Sequence, residues 1–138
     1  MSLTKEFSLF GILVLIGAGF SLFTGWAPPP WQKPTLESGE IRAIDARGLD
    51  ILWIDARTEK AYAEAHIPNA IWLNTEDPDA ELMHITVAWL ANPKPIVLYC
   101  SSAACSSSKE LANWLRNQLP DAEIYSLKGG WSSWLQLN

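Results

Sequence analysis

The amino-acid sequence predicts an α/β domain with a mostly parallel sheet and helices on both of its faces. Short runs of consecutive apolar residues, such as 51–54 and 96–99, are typical of strands that are buried on both faces. Stretches with helical spacing of apolar residues separate these runs, and this alternation is typical of parallel strands joined by crossover helices. The length of 138 residues suits one domain of this kind.

Each predicted element rests on a local pattern of the sequence. The first helix is predicted because Ile41 and Ile44 are three residues apart and Gly48 follows them as a stop. A second, short helix is expected to begin at Thr58, a residue type that caps helix N-termini. In chain order the predicted elements are a helix over 38–47, a strand over 51–55, a helix from 58 to about 65, a strand over 70–73, a helix over 79–90, a strand over 96–99, a helix over 107–119, a strand over 123–127 and a helical turn over 131–135.

The two longest helices are predicted to bury one side each. The apolar residues of 79–90 and of 107–119 recur every three or four positions, which is the spacing of a helix face. The second of these helices starts with Ser107-Ser108-Lys109-Glu110, which fits a capping box with Ser107 at the N-cap and Glu110 three residues later. The serines at this helix start are therefore interpreted as capping residues rather than catalytic ones.

Cys100 is the residue on which the functional prediction rests. It follows the apolar run 96–99 and opens a loop of small residues that leads into the helix over 107–119. Backbone N–H groups and the positive end of a helix stabilise an anionic sulfur, and such surroundings lower a cysteine pKa from about 8.5 to between about 3.5 and 7.5. Cys100 is therefore predicted to be a thiolate nucleophile, and the alternative is a buried structural cysteine. The predicted active-site loop consists of Cys100, Ser101, Ser102, Ala103, Ala104, Cys105 and Ser106.

Three further stretches accompany the cysteine loop. They are Asp55-Ala56-Arg57 after a predicted strand, Tyr62 with Ala65-His66-Ile67-Pro68-Asn69-Ala70, and Gly129-Gly130-Trp131 with Trp134. Together with the cysteine loop they resemble the motifs of the rhodanese-like sulfurtransferases, in the order in which that family has them. The resemblance covers the chain from about residue 35 onward and implies the rhodanese-like α/β fold.

The resemblance also implies an activity and supporting residues. Cys100 is expected to accept sulfane sulfur from a small sulfur-containing donor, to carry it as a persulfide and to pass it to a thiol or cyanide acceptor, without a metal or an organic cofactor. Asp55 is expected to order the active edge by accepting backbone hydrogen bonds or by pairing with Arg57. For His66 the resemblance implies hydrogen bonding within its turn, and the alternative is a proton shuttle. Asn69 replaces a family glycine and is expected to tolerate a left-handed backbone.

The loop departs from the family pattern at its sixth position, where Cys105 replaces a frequent arginine. Lys109 is the first cation after Cys100, so anion binding must rest on backbone N–H groups and the helix end. This weakens the case for thiosulfate as the donor and argues against phosphatase activity. Cys105 also opens a second interpretation, a thiol–disulfide or redox module in which it is the resolving thiol for Cys100. A third interpretation is a non-catalytic binding module of the same fold.

Composition and charge argue against several other classes of protein. The net charge is −5 and the basic residues are scattered, which argues against nucleic-acid binding. Two cysteines and two scattered histidines do not make a zinc site, so no metal is expected. No feature of the sequence identifies a protein partner.

The N-terminal part of the chain carries a separate prediction. Residues 7–26 are apolar and uncharged, and at about 1.5 Å per residue they span the roughly 30 Å hydrocarbon core of a lipid bilayer. They are predicted to form a transmembrane helix rather than a cleaved signal peptide, because the stretch is long and prolines follow it at 28–30. The predicted organisation is an anchor over 1–26, a proline-rich linker over 27–34 and the rhodanese-like domain over 35–138. The expected location is a single-pass position in a bacterial-type inner membrane, with the domain on the extracytoplasmic side.

Overall fold

The structure is a computed structural model that describes residues 36–101 and 106–137. The predicted anchor and linker, together with loop positions 102–105, lie outside the described residues. Within the part of the chain that the structure describes, no helix is long and apolar enough to cross a membrane.

The described residues form alternating strands and helices. The strands are β1 (Glu40–Arg42), β2 (Leu52–Asp55), β3 (Ile71–Trp72), β4 (Ile96–Tyr99) and β5 (Ile124–Lys128), and the helices are α1 (Ala43–Ala46), α2 (Glu59–Glu64), α3 (Asp79–Ala91), α4 (Ser107–Gln118) and α5 (Gly130–Leu135). The strands make one sheet in the order β1-β5-β4-β2-β3, and each neighbouring pair is parallel. The predicted α/β class with a parallel sheet is confirmed.

Helices cover both faces of this sheet, as predicted. One apolar cluster joins side chains of β2 and β4, such as Ile54 and Leu98, to α3 and α4. A second cluster on the opposite face joins Val97 of β4 to α1 and α5, where Ala43 and Trp131 contribute. β2 and β4 are therefore buried on both sides, which explains why their sequences are nearly continuous apolar runs rather than alternating ones.

The prediction of a helix over 38–47 is wrong in its first half. Gly39 adopts a left-handed backbone with φ of +82°, and β1 then pairs with β5 through Ile41 opposite Leu127. The helix begins only at Ala43 and is one turn long. The apolar spacing was misleading because Ile41 belongs to a strand, whereas Ile44 lies in the helix and is exposed.

The predicted capping box at the start of α4 is also wrong. The N-cap is Ser106 rather than Ser107, and its side chain makes no capping hydrogen bond. The carbonyl oxygen of Ser106 accepts from the backbone N–H groups of Lys109 and Glu110 instead. By contrast, Thr58 caps α2 as predicted, because its hydroxyl oxygen accepts from the N–H of Ala61 at 3.3 Å.

The carboxylate of Glu40 on β1 is buried among hydrogen-bond donors. It accepts from the N–H of Glu37 at 2.9 Å, and its oxygens lie 3.0 Å from the Lys128 amine and 3.1 Å from the Lys109 amine. Burial alone would raise the pKa of Glu40, but these donors outweigh it and hold the pKa below its ordinary value.

We therefore expect Glu40 to stabilise the domain above its ordinary pKa and to lose that contribution as the pH falls through its lowered pKa. Urea unfolding between about pH 6 and pH 3 measures this loss. The Glu40→Gln variant should be less stable than wild type at the upper end of this pH interval, and its free energy of unfolding should fall by less across the interval. An identical pH dependence of the two proteins would contradict the prediction.

Candidate active site

The middle of the sheet brings the two predicted site segments together. β2 and β4 are neighbours, and Asp55, the last residue of β2, lies opposite Tyr99, the last residue of β4. Cys100 follows Tyr99 directly, so it stands at the carboxyl edge of the sheet beside Asp55, as the sequence predicts. The Cys100 residue is only 1% exposed.

Asp55 pairs with Arg57 inside the protein. The Arg57 Nε lies 3.0 Å from the Asp55 Oδ1, and its Nη2 lies 2.7 Å from Oδ2. The backbone N–H of Arg57 also donates to Oδ1, at 2.9 Å. Both expected modes of Asp55, accepting from the backbone and pairing with Arg57, are present together. Because both side chains are buried, each charge depends on the other for its compensation.

Tyr99 completes this network, a role that no motif of the sequence indicated. Its hydroxyl donates to the Asp55 Oδ2 at 2.7 Å and accepts from the Ile67 N–H at 3.1 Å. Burial raises the pKa of Tyr99, and the hydrogen bond to Asp55 raises it further, so the phenol stays protonated at neutral pH. The available clue was a phenol at the end of an otherwise aliphatic strand, since a buried tyrosine hydroxyl needs a partner.

Two aromatic rings flank the Arg57 guanidinium. Its central carbon lies 4.3 Å from the ring centre of Trp131 and 5.5 Å from that of Tyr99, which are cation–π distances. Burial alone would lower the pKa of Arg57, but hydrogen bonding and charge pairing with Asp55 raise it above its ordinary value. The Arg57 Nη2 also donates a hydrogen bond to the Ala65 carbonyl oxygen, at 2.5 Å. A permanently charged group thus ties β2, β4 and α5 together.

The first turn of α5 holds the start of the cysteine loop. The Trp131 N–H donates to the Cys100 carbonyl oxygen at 2.7 Å, and the Ser132 hydroxyl donates to the Ser101 carbonyl oxygen at 3.0 Å. Gly129 precedes this turn with a φ of +79°, and a Cβ there would lie 2.9 Å from the Ser133 Cβ. Glycine at this position therefore lets α5 begin where it reaches the loop.

The turn that contains His66 is held by hydrogen bonds. The His66 Nδ1 lies 2.8 Å from the Tyr62 carbonyl oxygen, and the two rings stack with centres 4.0 Å apart. The Tyr62 hydroxyl in turn donates to the Ala70 carbonyl oxygen. Asn69 has a φ of +63°, which confirms the left-handed backbone expected there. His66 is exposed, and its contacts match the hydrogen bonding within its turn that the resemblance implies, whereas the proton-shuttle alternative is not tested by them.

Part of the predicted active-site loop lies outside the described residues. Ser102, Ala103, Ala104 and Cys105 are not described, whereas Ser106 stands at the N-cap of α4. The hypothesis that Cys105 resolves Cys100 therefore stays a prediction. Among the described residues, no group of three or more cysteine, histidine or carboxylate side chains is arranged to hold a metal ion.

The Tyr99 hydroxyl allows a direct test of the buried network. Tyr99→Phe should destabilise the domain by about 1–3 kcal/mol, because the Ile67 N–H and one Asp55 oxygen lose a partner in a site closed to water. Chemical denaturation measures the loss. Tyr125→Phe, at a half-buried tyrosine on β5, is the matched control and should cost much less. Equal effects of the two variants would show that the Tyr99 hydrogen bonds do not matter.

Comparison with known proteins agrees with the geometry. Residues 35–137 match the Rhodanese-like domain family. Among solved structures, a protein from Bacillus halodurans is 29% identical over 73% of this chain and 74% of its own, with a TM-score of 0.58. No curated protein matches the sequence significantly.

Two more distant structures share the fold. A rhodanese-related protein from Thermoplasma volcanium is 20% identical, with 72% of this chain and 92% of its own covered and a TM-score of 0.54. A thiosulfate sulfurtransferase from Pseudomonas aeruginosa is 19% identical over 80% of this chain, with a TM-score of 0.58, and the match covers 21% of that longer protein.

Proposed function

Because the chain belongs to the rhodanese-like domain family, we propose that it is a sulfurtransferase that carries sulfane sulfur as a persulfide on Cys100. The observation that carries the proposal is the position of Cys100. It follows the central strand β4 at the carboxyl edge of the sheet, beside the buried pair of Asp55 and Arg57, and its peptide is held by α5. A rigid base of this kind suits a nucleophile that must meet its substrate in one orientation.

The proposed reaction has two displacement steps. The Cys100 thiolate attacks the outer sulfur of a small donor, the bond between that sulfur and the rest of the donor breaks, and the donor leaves with the electron pair. An acceptor thiolate or cyanide then attacks the outer sulfur of the Cys100 persulfide, and Cys100 leaves again as a thiolate. Backbone N–H groups of the loop and the start of α4 would stabilise the sulfur anion in each state.

The charges near the loop favour a persulfide over thiosulfate as the donor. Lys109, the first cation after Cys100, forms ion pairs with Glu37 at 2.8 Å and with Glu40 at 3.1 Å. The guanidinium of Arg57 is likewise engaged by Asp55. Neither of these two cations is free to pair with a dianionic donor, so a singly charged persulfide suits the site better.

Mass spectrometry tests the proposal. The reduced protein is incubated with a small persulfide or with thiosulfate, and the peptides are then compared with those of a Cys100→Ser variant. We expect one added sulfur on Cys100, removed by cyanide with formation of thiocyanate. No adduct with either donor, in a protein whose Cys100 still reacts with an alkylating reagent, would refute sulfur transfer and favour the non-catalytic binding module.

Cys105→Ser separates sulfur transfer from the redox alternative. If Cys100 works alone, the variant should keep sulfur-transfer activity within about twofold of wild type, because thiolate attack and persulfide release need one thiol. A reversible disulfide in the wild type, with activity lost in Cys105→Ser, would instead identify Cys105 as a resolving thiol. Steady-state assays and non-reducing peptide mapping measure these outcomes.

We also propose that residues 7–26 anchor the domain in a bacterial-type inner membrane, with the domain on the extracytoplasmic side. The support is the apolar, uncharged sequence of this stretch and its length. Full-length protein should sediment with membranes and resist extraction at alkaline pH, whereas a variant that starts after residue 34 should not. Recovery of the full-length protein in the soluble fraction would refute the anchor.

A further inference from the structure

Helix α3 has apolar residues on two sides, and the domain covers only one of them. Leu82, Ile85 and Trp89 belong to the apolar cluster between this helix and the sheet. Four residues on the other side are exposed and form the outer stripe of α3: Ala80, Met83, Val87 and Leu90. A helix that is apolar all round is normally covered all round. Among the described residues, however, the outer stripe is left open to solvent.

The outer stripe has the spacing of a seam between two helices. Its members are three, four and three positions apart, the repeat that lets the side chains of one helix pack between those of another. A shallow groove lies beside it, lined by residues at positions i, i+3, i+4, i+7 and i+8 of the helix: Asp79, Leu82, Met83, Thr86 and Val87. Residues at such positions form the hole that receives a side chain of a facing helix. This side of α3 therefore fits a second helix.

The charges around the outer stripe argue against a lipid surface as its partner. Helices that lie on membranes usually carry lysine and arginine on their polar side. The sequence of α3 contains neither, and acidic residues lie in its first turn or just before it: Glu76, Asp77, Asp79 and Glu81. Anionic lipid headgroups would repel these carboxylates. A protein helix is therefore the better partner.

We propose that the outer stripe binds the outer stripe of a second copy of this chain, with the two α3 helices antiparallel. Met83 then faces Val87 of the second copy, and Ala80 faces Leu90 of the second copy. A small residue meets a large one at each end of the contact, so the facing layers fill the space between the helices. A parallel pair would set Ala80 against Ala80 and would bring the two acidic N-terminal ends together, where like charges repel.

The proposed contact is small, and a membrane anchor would strengthen it. α3 has 13 residues. A helix of this length makes a contact about 20 Å long and about 10 Å wide, which is smaller than the roughly 800 Å² per partner of a standard interface. Copies that residues 7–26 hold in one membrane would meet at a much higher local concentration. Association in the membrane therefore rests on the proposed function, which includes this anchor, whereas the antiparallel register does not.

Disulfide cross-linking of the full chain in zwitterionic lipid vesicles tests the register. The parent carries Cys100→Ser and Cys105→Ser, which leaves no native cysteine. M83C and V87C are made separately in this parent, mixed in equal amounts in the vesicles and oxidised. We expect the mixed disulfide to form about fivefold faster than that of either variant with itself, because only these two positions share a layer. I44C, at a residue that is 56% exposed on the opposite face of the sheet, is the matched control and should cross-link more slowly than the mixed pair.

A charge in the outer stripe should prevent the association. Leu90→Glu is added to both cysteine variants, and the mixed disulfide should then form about tenfold more slowly, because the carboxylate would be buried against apolar side chains. Ile44→Glu is the control and should leave the rate unchanged. Leu90 is 63% exposed and Ile44 56%, so neither substitution reaches the core. Circular dichroism shows whether each variant is folded.

Three results would overturn the proposal. Cross-linking of M83C and V87C no faster than that of I44C would exclude pairing with a second copy, and protection of M83C from a water-soluble maleimide in that case would assign the outer stripe to the lipid surface. Equal rates for the mixed disulfide and the self disulfides would refute the antiparallel register. A rate that Leu90→Glu does not change would place the contact elsewhere on the domain.

Failure of the proposed function is visible separately. A full chain that does not float with the vesicles would refute the anchor, and the same cysteine pairs are then oxidised in solution at high protein concentration, where the antiparallel register predicts the same order of rates. None of these measurements uses the Cys100 thiol, so their outcome does not depend on sulfur transfer.

Discussion

Replacing Arg57 with leucine is expected to destabilise the domain by about 3–5 kcal/mol. The substitution leaves the Asp55 carboxylate, which is fully buried, without its cation. The Tyr99 hydroxyl and the backbone N–H at position 57 remain as its donors. The variant also loses the guanidinium between Trp131 and Tyr99 and the hydrogen bond to the Ala65 carbonyl. Denaturant unfolding at neutral pH measures the difference in free energy.

The controls separate charge from packing. A double variant, Asp55→Asn with Arg57→Leu, removes both charges and should be more stable than Arg57→Leu alone, because no unpaired charge stays buried. Arg57→Lys should fall between wild type and Arg57→Leu, since an ammonium keeps the charge but cannot donate in a fork or stack on Trp131. A loss below about 1 kcal/mol in Arg57→Leu would mean that the pair is not a main source of stability.

Cys100→Ser is expected to lower sulfur transfer by about a thousandfold or more, the scale on which enzymes respond to loss of their nucleophile. A serine hydroxyl is hardly ionised at neutral pH, so we expect that it neither attacks the donor nor carries a persulfide. The measurement is thiocyanate formation from cyanide with a persulfide donor. Thermal unfolding of the same sample should show a folded domain, because serine and cysteine are close in size.

His84→Asn provides the control for this loss of activity. His84 is exposed on α3, where it lies 3.6 Å from Glu81, and the site does not involve it. Its substitution should leave turnover near the wild-type value. Turnover that survives in Cys100→Ser would assign the reaction to another group or to a contaminant.

Much of the fold could be predicted because most of its strands and helices follow from the pattern of a short stretch of sequence. The run 96–99 became β4 with the same bounds, since four consecutive apolar residues fit a strand buried on both faces. The failure at 38–47 has a physical reason too. Whether Ile41 belongs to a strand depends on its pairing with Leu127, and no local pattern contains that partner.

The residues of the site fall into the same two groups, those that a local motif predicts and those whose contacts depend on distant parts of the chain. Asp55 and Arg57 are two positions apart, so their pairing was predictable from one short motif. Tyr99 reaches Asp55 and Ile67 across long stretches of chain, and its role appears only once β2 and β4 are side by side. The hydrogen bond of Ser132 to the loop is of this second kind, because it joins elements that are distant in sequence.

The strand order has a consequence for how the domain is made in the cell. During synthesis β1 emerges before the other strands, yet its partner is β5. Glu40 therefore cannot pair with Ser126 until the last strand has been made. Cys100 likewise meets the N–H of Trp131 only after α5 has left the ribosome. A nascent chain that ends before residue 124 therefore lacks the strand that pairs with both β1 and β4, and one that ends before residue 131 lacks the N–H that holds the Cys100 carbonyl. The peptide of Cys100 is thus fixed only at the same late stage of synthesis at which the sheet is completed.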